Sequence, residues 1–90
     1  MIPDYITITD LKKSPTRLCR SVLTGKKQYI VTSNGLPIFR MVKPIPLNLD
    51  LEVSVYTMRK EQSHFQDLLE EYGTIALTAY GKQLAKCVKL

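Results

Sequence analysis

The sequence predicts an α+β fold, and three observations predict it. A β-branched and aromatic run, Tyr5-Ile6-Thr7-Ile8, feeds directly into residues that start helices; Asn34-Gly35 separates two strand-like runs; and residues 47–55 alternate apolar and polar. The chain of 90 residues holds one core with at most an appendage, because so short a chain leaves much of its surface exposed when folded alone. Association with a second chain is the usual remedy, so dimerisation is expected.

The elements follow in order. After the first strand, Thr9-Asp10 and Ser14-Pro15 are two possible helix starts, since Thr, Asp and Ser accept bonds from free N–H groups and Pro fits the first helical turn. The helix begins at either point or is kinked between them. Projected at helical spacing, Leu11, Pro15, Leu18, Cys19, Val22 and Leu23 share one face, while Lys13, Arg17 and Arg20 share the other. Thr24-Gly25 closes the helix.

Tyr29-Ile30-Val31-Thr32 and Leu36-Pro37-Ile38-Phe39-Arg40-Met41-Val42 then form a hairpin across Ser33-Asn34-Gly35, because Asn and Gly tolerate the positive φ of a tight turn. Pro37, at the start of its run, suggests an edge or a position outside the ladder. Pro44-Ile45-Pro46 interrupts regular structure, which places a boundary there between a unit 1–46 and an extension 47–90. The alternating stretch 47–55 is a half-buried strand that could pair with the hairpin, with a sister subunit or with another protein. From Met58 to Tyr72 the period is helical with Gly73 as the stop, and a weaker helix, interrupted by Gly81, is expected over about 75–88. The chain reads as free of internal repeats and of low-complexity tracts.

Charge is unevenly spread within a net +5. Residues 1–46 carry eight Lys/Arg against Asp4 and Asp10, whereas residues 47–90 carry five against six Asp/Glu. The front half is suited to a polyanion. No apolar run is long enough to span a bilayer and the start has no signal-peptide pattern, so no membrane and a cytoplasmic location are the expectation. Cys19 and Cys87 are far apart, with His64 the only other candidate metal ligand, so neither a metal site nor a cofactor is expected and the thiols should be buried or idle. A lone histidine in mid-helix, with no nucleophile spacing and no Gly-rich phosphate loop, argues against an enzyme.

Ile6-Thr7-Ile8-Thr9-Asp10-Leu11-Lys12-Lys13-Ser14-Pro15 closely resembles the I-x-I-[ST]-[DE]-L-[KR]-[KR]-N-P opening of one branch of the Phd/YefM antitoxins. The helix, hairpin and Met41-Val42-Lys43-Pro44 that follow keep the same order, so the resemblance covers about half of the chain. It implies an N-terminal unit of strand, helix and hairpin that dimerises and binds operator DNA, and a C-terminal segment that neutralises a toxin. In this branch the toxin is more often a ribosome-dependent RNA endonuclease of the RelE/ParE type than a Doc type. The expectation is thus a homodimer that represses its own operon on double-stranded operator DNA and binds a cognate toxin. A stand-alone DNA-binding regulator and a protein inhibitor of another enzyme are the alternatives.

On this reading Lys12, Lys13, Arg17 and Arg20 form the phosphate-binding face, flanked by Lys26 and Lys27. Lys12 fills the basic site that closes the family's opening. Arg17 is the best candidate to reach a base edge. Thr9 is open between a DNA contact and a helix cap, and Asn34 stands with Ser33 at the turn where many relatives carry Arg. For the toxin, Met58, Phe65, Leu68, Leu69 and Tyr72 form a helical stripe suited to a partner's groove, bordered by Glu61, Asp67, Glu70 and Glu71. The same stripe could equally pack on the chain itself or on its dimer mate.

Overall fold

The computed structural model describes residues 2–25, 27–45 and 49–90. Among these the chain forms β1 (Asp4–Thr7), α1 (Ile8–Lys13), α2 (Pro15–Leu23), β2 (Tyr29–Ser33), β3 (Leu36–Val42), β4 (Leu51–Ser54), α3 (Val55–Lys60), α4 (Gln62–Tyr72), β5 (Thr74–Ala79) and β6 (Lys82–Lys89). Six strands make one sheet in the order β1-β2-β3-β6-β5-β4. The α+β expectation holds, with helices on one face of a single sheet.

The helical stretch is kinked at Ser14-Pro15, as one of the expected alternatives has it, but it starts at Ile8, ahead of Thr9-Asp10. Thr7, rather than Thr9, is the cap: its side chain accepts from the Asp10 N–H at 3.0 Å while the Asp10 carboxylate accepts from the Thr7 N–H at 3.2 Å. Ser14 leaves helical geometry at φ −139°, and Pro15 opens α2, where its missing N–H removes no bond. The Asn34-Gly35 turn also forms, at φ +53° and +79°.

The second half departs from expectation in three ways. The strand covers Leu51–Ser54 only, because Ser54 accepts from the Thr57 N–H at 3.0 Å and starts a helix there. Leu47 and Asn48 of the expected strand, and Pro46 of the expected boundary, lie outside the described residues. The single helix 58–72 is instead α3 and α4, broken at Glu61 with φ −125°. No helix forms over 75–88. That stretch is the β5–β6 hairpin, turned at Tyr80-Gly81 with φ +54° and +75°.

These corrections have one cause: the second half repeats the first, so the expectation of no internal repeat is overturned. Each half runs strand, short helix, kink, longer helix, hairpin. In each the first strand lies parallel to the second and the second antiparallel to the third, β1 on β2 on β3 and β4 on β5 on β6. Finer details recur too. The kink residues Ser14 and Glu61 share one conformation, at φ, ψ of −139°, 57° and −125°, 59°. The register shifts between Val31 and Thr32 and, at the equivalent place, between Leu77 and Thr78. The halves join where β3 pairs antiparallel with β6, and Met41 faces Cys87. Those two positions are equivalent in the repeat, so a local two-fold axis passes between them.

The axis is structural more than chemical. Leu11 corresponds to Met58, Leu18 to Phe65 and Val22 to Leu69, and all six join one core with Val31, Phe39, Met41, Ile75, Leu77, Ala85 and Cys87. Each longer helix reaches the other half's strands: α2 packs on β6, and Phe65 of α4 meets Phe39 of β3 edge-on, centroids 5.6 Å apart. The large pair Phe39/Phe65 on one side of the axis answers the small pair Ala85/Leu18 on the other. The frame is therefore repeated while the volumes and identities at equivalent core positions differ.

Candidate nucleic-acid interface

The helix pair α1–α2 turns its apolar side to the sheet, with Leu11, Cys19 and Val22 fully buried and Leu18 nearly so. Its polar side is left to solvent. Lys13, Arg17 and Arg20 are exposed there and Lys12 is half-buried. None of these four makes an ion pair among the described residues. Arg17 and Arg20 line an open hollow with Thr16, Ser21 and Thr24, and Lys13 and Arg17 line a second one of about 330 Å³ with Ile6, Asp10, Ser14 and Leu18. Unpaired cations bordering shallow hollows on a helical surface are the elements of a phosphate-binding face.

The remaining DNA candidates separate. Thr9 lies inside α1, exposed, with no capping role. Lys27 is held by Asp4 at 2.8 Å. That hydrogen-bonded carboxylate raises the Lys27 pKa above its ordinary value, so the ammonium is charged and already occupied. Lys26 lies outside the described residues. Asn34 is exposed at the hairpin turn.

The repeat supplies a second set that the residue pattern alone did not reveal. Arg59 and Lys60 end α3 where Lys12 and Lys13 end α1, and both are exposed. Lys60 also sits over the Tyr56 ring at 5.1 Å. Beyond the kink the halves diverge, since Arg17 and Arg20 correspond to His64 and Asp67. The signal that could have found this set was the repeated strand-to-cap step, Ile6-Thr7-Ile8 against Val53-Ser54-Val55, each followed by an apolar residue and a basic pair.

The stripe expected to grip a toxin is mostly core. Met58 and Phe65 are fully buried and Leu69 nearly so, which corrects their assignment as partner anchors, because the chain's own sheet covers them. Leu68 is half-buried and packs against the core, and Tyr72 is exposed. Tyr56 and Tyr80 are exposed as well, Tyr80 wholly so.

Cys19 and Cys87 are buried free thiols. Burial pushes the Cys19 thiol up to about 12 and raises Cys87 well above its ordinary value. Both are neutral, apolar contributors to the core. Among the described residues no group of three or more His, Cys, Asp or Glu could hold a metal, and no helix is long and apolar enough to cross a membrane. Comparison with protein-family models, with curated proteins and with solved structures finds no match for this chain.

Proposed function

We propose that the chain is a duplex-DNA-binding regulator of the antitoxin kind that its opening resembles, in which one chain supplies the two helix pairs otherwise expected from a dimer. The observation that carries this reading is the recurrence of a basic pair, half-buried Lys12 with exposed Lys13 and exposed Arg59 with Lys60, at equivalent ends of two helices related by the local two-fold axis. Duplex DNA presents evenly spaced phosphates on a scaffold with its own two-fold symmetry, and a two-fold array of cations is complementary to it. A homodimer is not required for this display.

Fluorescence anisotropy with a labelled duplex, titrated over a range of salt, tests the proposal. Lys12→Ala/Lys13→Ala and Arg59→Ala/Lys60→Ala should each weaken binding and lower the salt slope by about 2, one unit for each cation withdrawn from a phosphate. A chain that ignores duplexes of every sequence in dilute buffer overturns it.

A second reading, binding of a protein partner such as the toxin that the resemblance implies, is favoured by the exposed rings of Tyr56, Tyr72 and Tyr80. Exposed tyrosines are common anchors at protein interfaces, and Tyr5 in the first half is exposed as well. Co-expression with the product of the adjacent gene tests it. A complex that loses affinity on Tyr72→Ala supports it, and no association counts against it.

A further inference from the structure

We propose that the two halves bind DNA unequally, so that one chain occupies a single non-palindromic duplex site with α1–α2 as its principal grip and α3–α4 as a minor contact. The proposal rests on the DNA-binding reading above and adds to it a polarity that a true dimer would lack.

The frame is two-fold but its charge is not. Across residues 8–25, the four cations Lys12, Lys13, Arg17 and Arg20 face only one carboxylate, Asp10, which is engaged with the Thr7 N–H. Across 55–72, only Arg59 and Lys60 are cationic, and Glu61, Asp67, Glu70 and Glu71 oppose them. The decisive positions follow the kinks. Arg17 and Arg20 are exposed on α2, and their equivalents His64 and Asp67 are exposed on α4, so all four side chains reach solvent from matching places on the scaffold. Lys89 of β6 bonds Glu70 at 2.9 Å, which ties one more cation of this half to a carboxylate.

A phosphate brought to α2 meets two guanidinium groups that make no ion pair among the described residues. Brought to the same place on α4, it meets a carboxylate. Like charges there oppose association, whereas each cation engaged on the first helix pair releases a counterion from the duplex. The turns differ in the same sense. Asn34 can donate to a phosphate from the first hairpin, and the second presents the wholly exposed ring of Tyr80 instead.

Counting one phosphate per cation, the first helix pair should contribute about −3.6 to the slope of log K against log salt and the second about −1.8. Two variants that leave the basic pairs intact separate the halves. Arg17→Ala/Arg20→Ala should remove about 1.8 from the slope and weaken binding at low salt at least tenfold. His64→Arg/Asp67→Arg, which gives α4 the side chains of α2, should add about as much and tighten binding. Both pairs are exposed, so circular dichroism melts should match those of the parent chain. Native mass spectrometry on a short duplex should show one chain per site.

Two results would overturn the polarity while leaving DNA binding intact. One is two chains bound symmetrically on a palindrome with no single-chain complex on either half. The other is a pair of variants that both keep the parent's slope. Failure of the parent chain to bind any duplex would instead remove the DNA reading itself.

Discussion

At the scale of the residue, three side chains carry costs that can be measured. Tyr80 holds φ +54° at a hairpin turn where the first half uses Asn34 at +53°. A left-handed conformation costs an ordinary L-residue about 1–2 kcal/mol, and Asn adopts it more readily by bonding its own backbone. The Tyr80 ring is wholly exposed, so its removal should forfeit little packing. Tyr80→Asn should therefore raise the urea midpoint, with a gain of about 0.5–1 kcal/mol; a lowered midpoint would mean that the ring braces the hairpin.

The buried thiols make a second prediction at this scale. Cys19 remains protonated in the fold up to about pH 12, whereas in the unfolded chain it ionises near its ordinary value of 9.0. Above pH 9 the unfolded state therefore binds fewer protons than the folded state, and stability must fall as pH rises. The decline reaches at most about 1.4 kcal/mol per pH unit for each thiol. Urea unfolding at pH 8 and pH 10 should show this loss, and Cys19→Ala/Cys87→Ala should reduce it; equal declines in both proteins would contradict the assignment.

At the scale of the element, the first half was legible because its local signals agree with its tertiary role. Pro15 and Asn34-Gly35 mark turns by backbone chemistry that packing need not override. The second half was misread where local preference and burial pull apart. Residues Thr74–Ala79 form a strand inside the sheet, with Ile75 to Thr78 all buried, so the alternation that identifies a half-buried strand is absent. The alanines at 76, 79 and 85 favour helix intrinsically, and Tyr80-Gly81 lacks the Asn that announces a hairpin.

The repeat is faint in the sequence for a related reason. Equivalent core positions keep an apolar character and exchange volume, as Leu18 with Phe65 and Phe39 with Ala85, so shared identities are few. Of the candidate interface, the α1–α2 cations could be read directly from helical spacing. Arg59 and Lys60 are not marked by helical spacing, and their equivalence to Lys12 and Lys13 shows in the sequence only through the repeated strand-to-cap step.

At the scale of the whole molecule, the connection between the halves decides whether the junction closes within one chain. Val42, Lys86, Ala76 and Glu52 lie in one cross-strand row, which puts the end of β3 three strand spacings, about 14 Å, from the start of β4. Residues 43–50 are ample for that span. The connection is fastened at its far end, where Asp50 accepts from Thr74 at 3.0 Å and pairs with Lys86 at 3.6 Å. Deleting residues 45–49 would leave a bridge of about 14 Å when fully stretched, too short to clear the intervening strands. The front half of one chain should then pair with the back half of another, and light scattering should report a doubled mass. A deletion variant with the parent's mass and melting temperature would show that the junction tolerates a different path.

The sheet's rims have a consequence of their own. Both outermost strands, β1 and β4, are four residues long and already paired on their inner side. Asp4 and Glu52 place carboxylates on these borders, and Pro3, just ahead of β1, has no N–H to offer. A further strand would find so brief and charged a template at either margin that edge-to-edge growth is disfavoured.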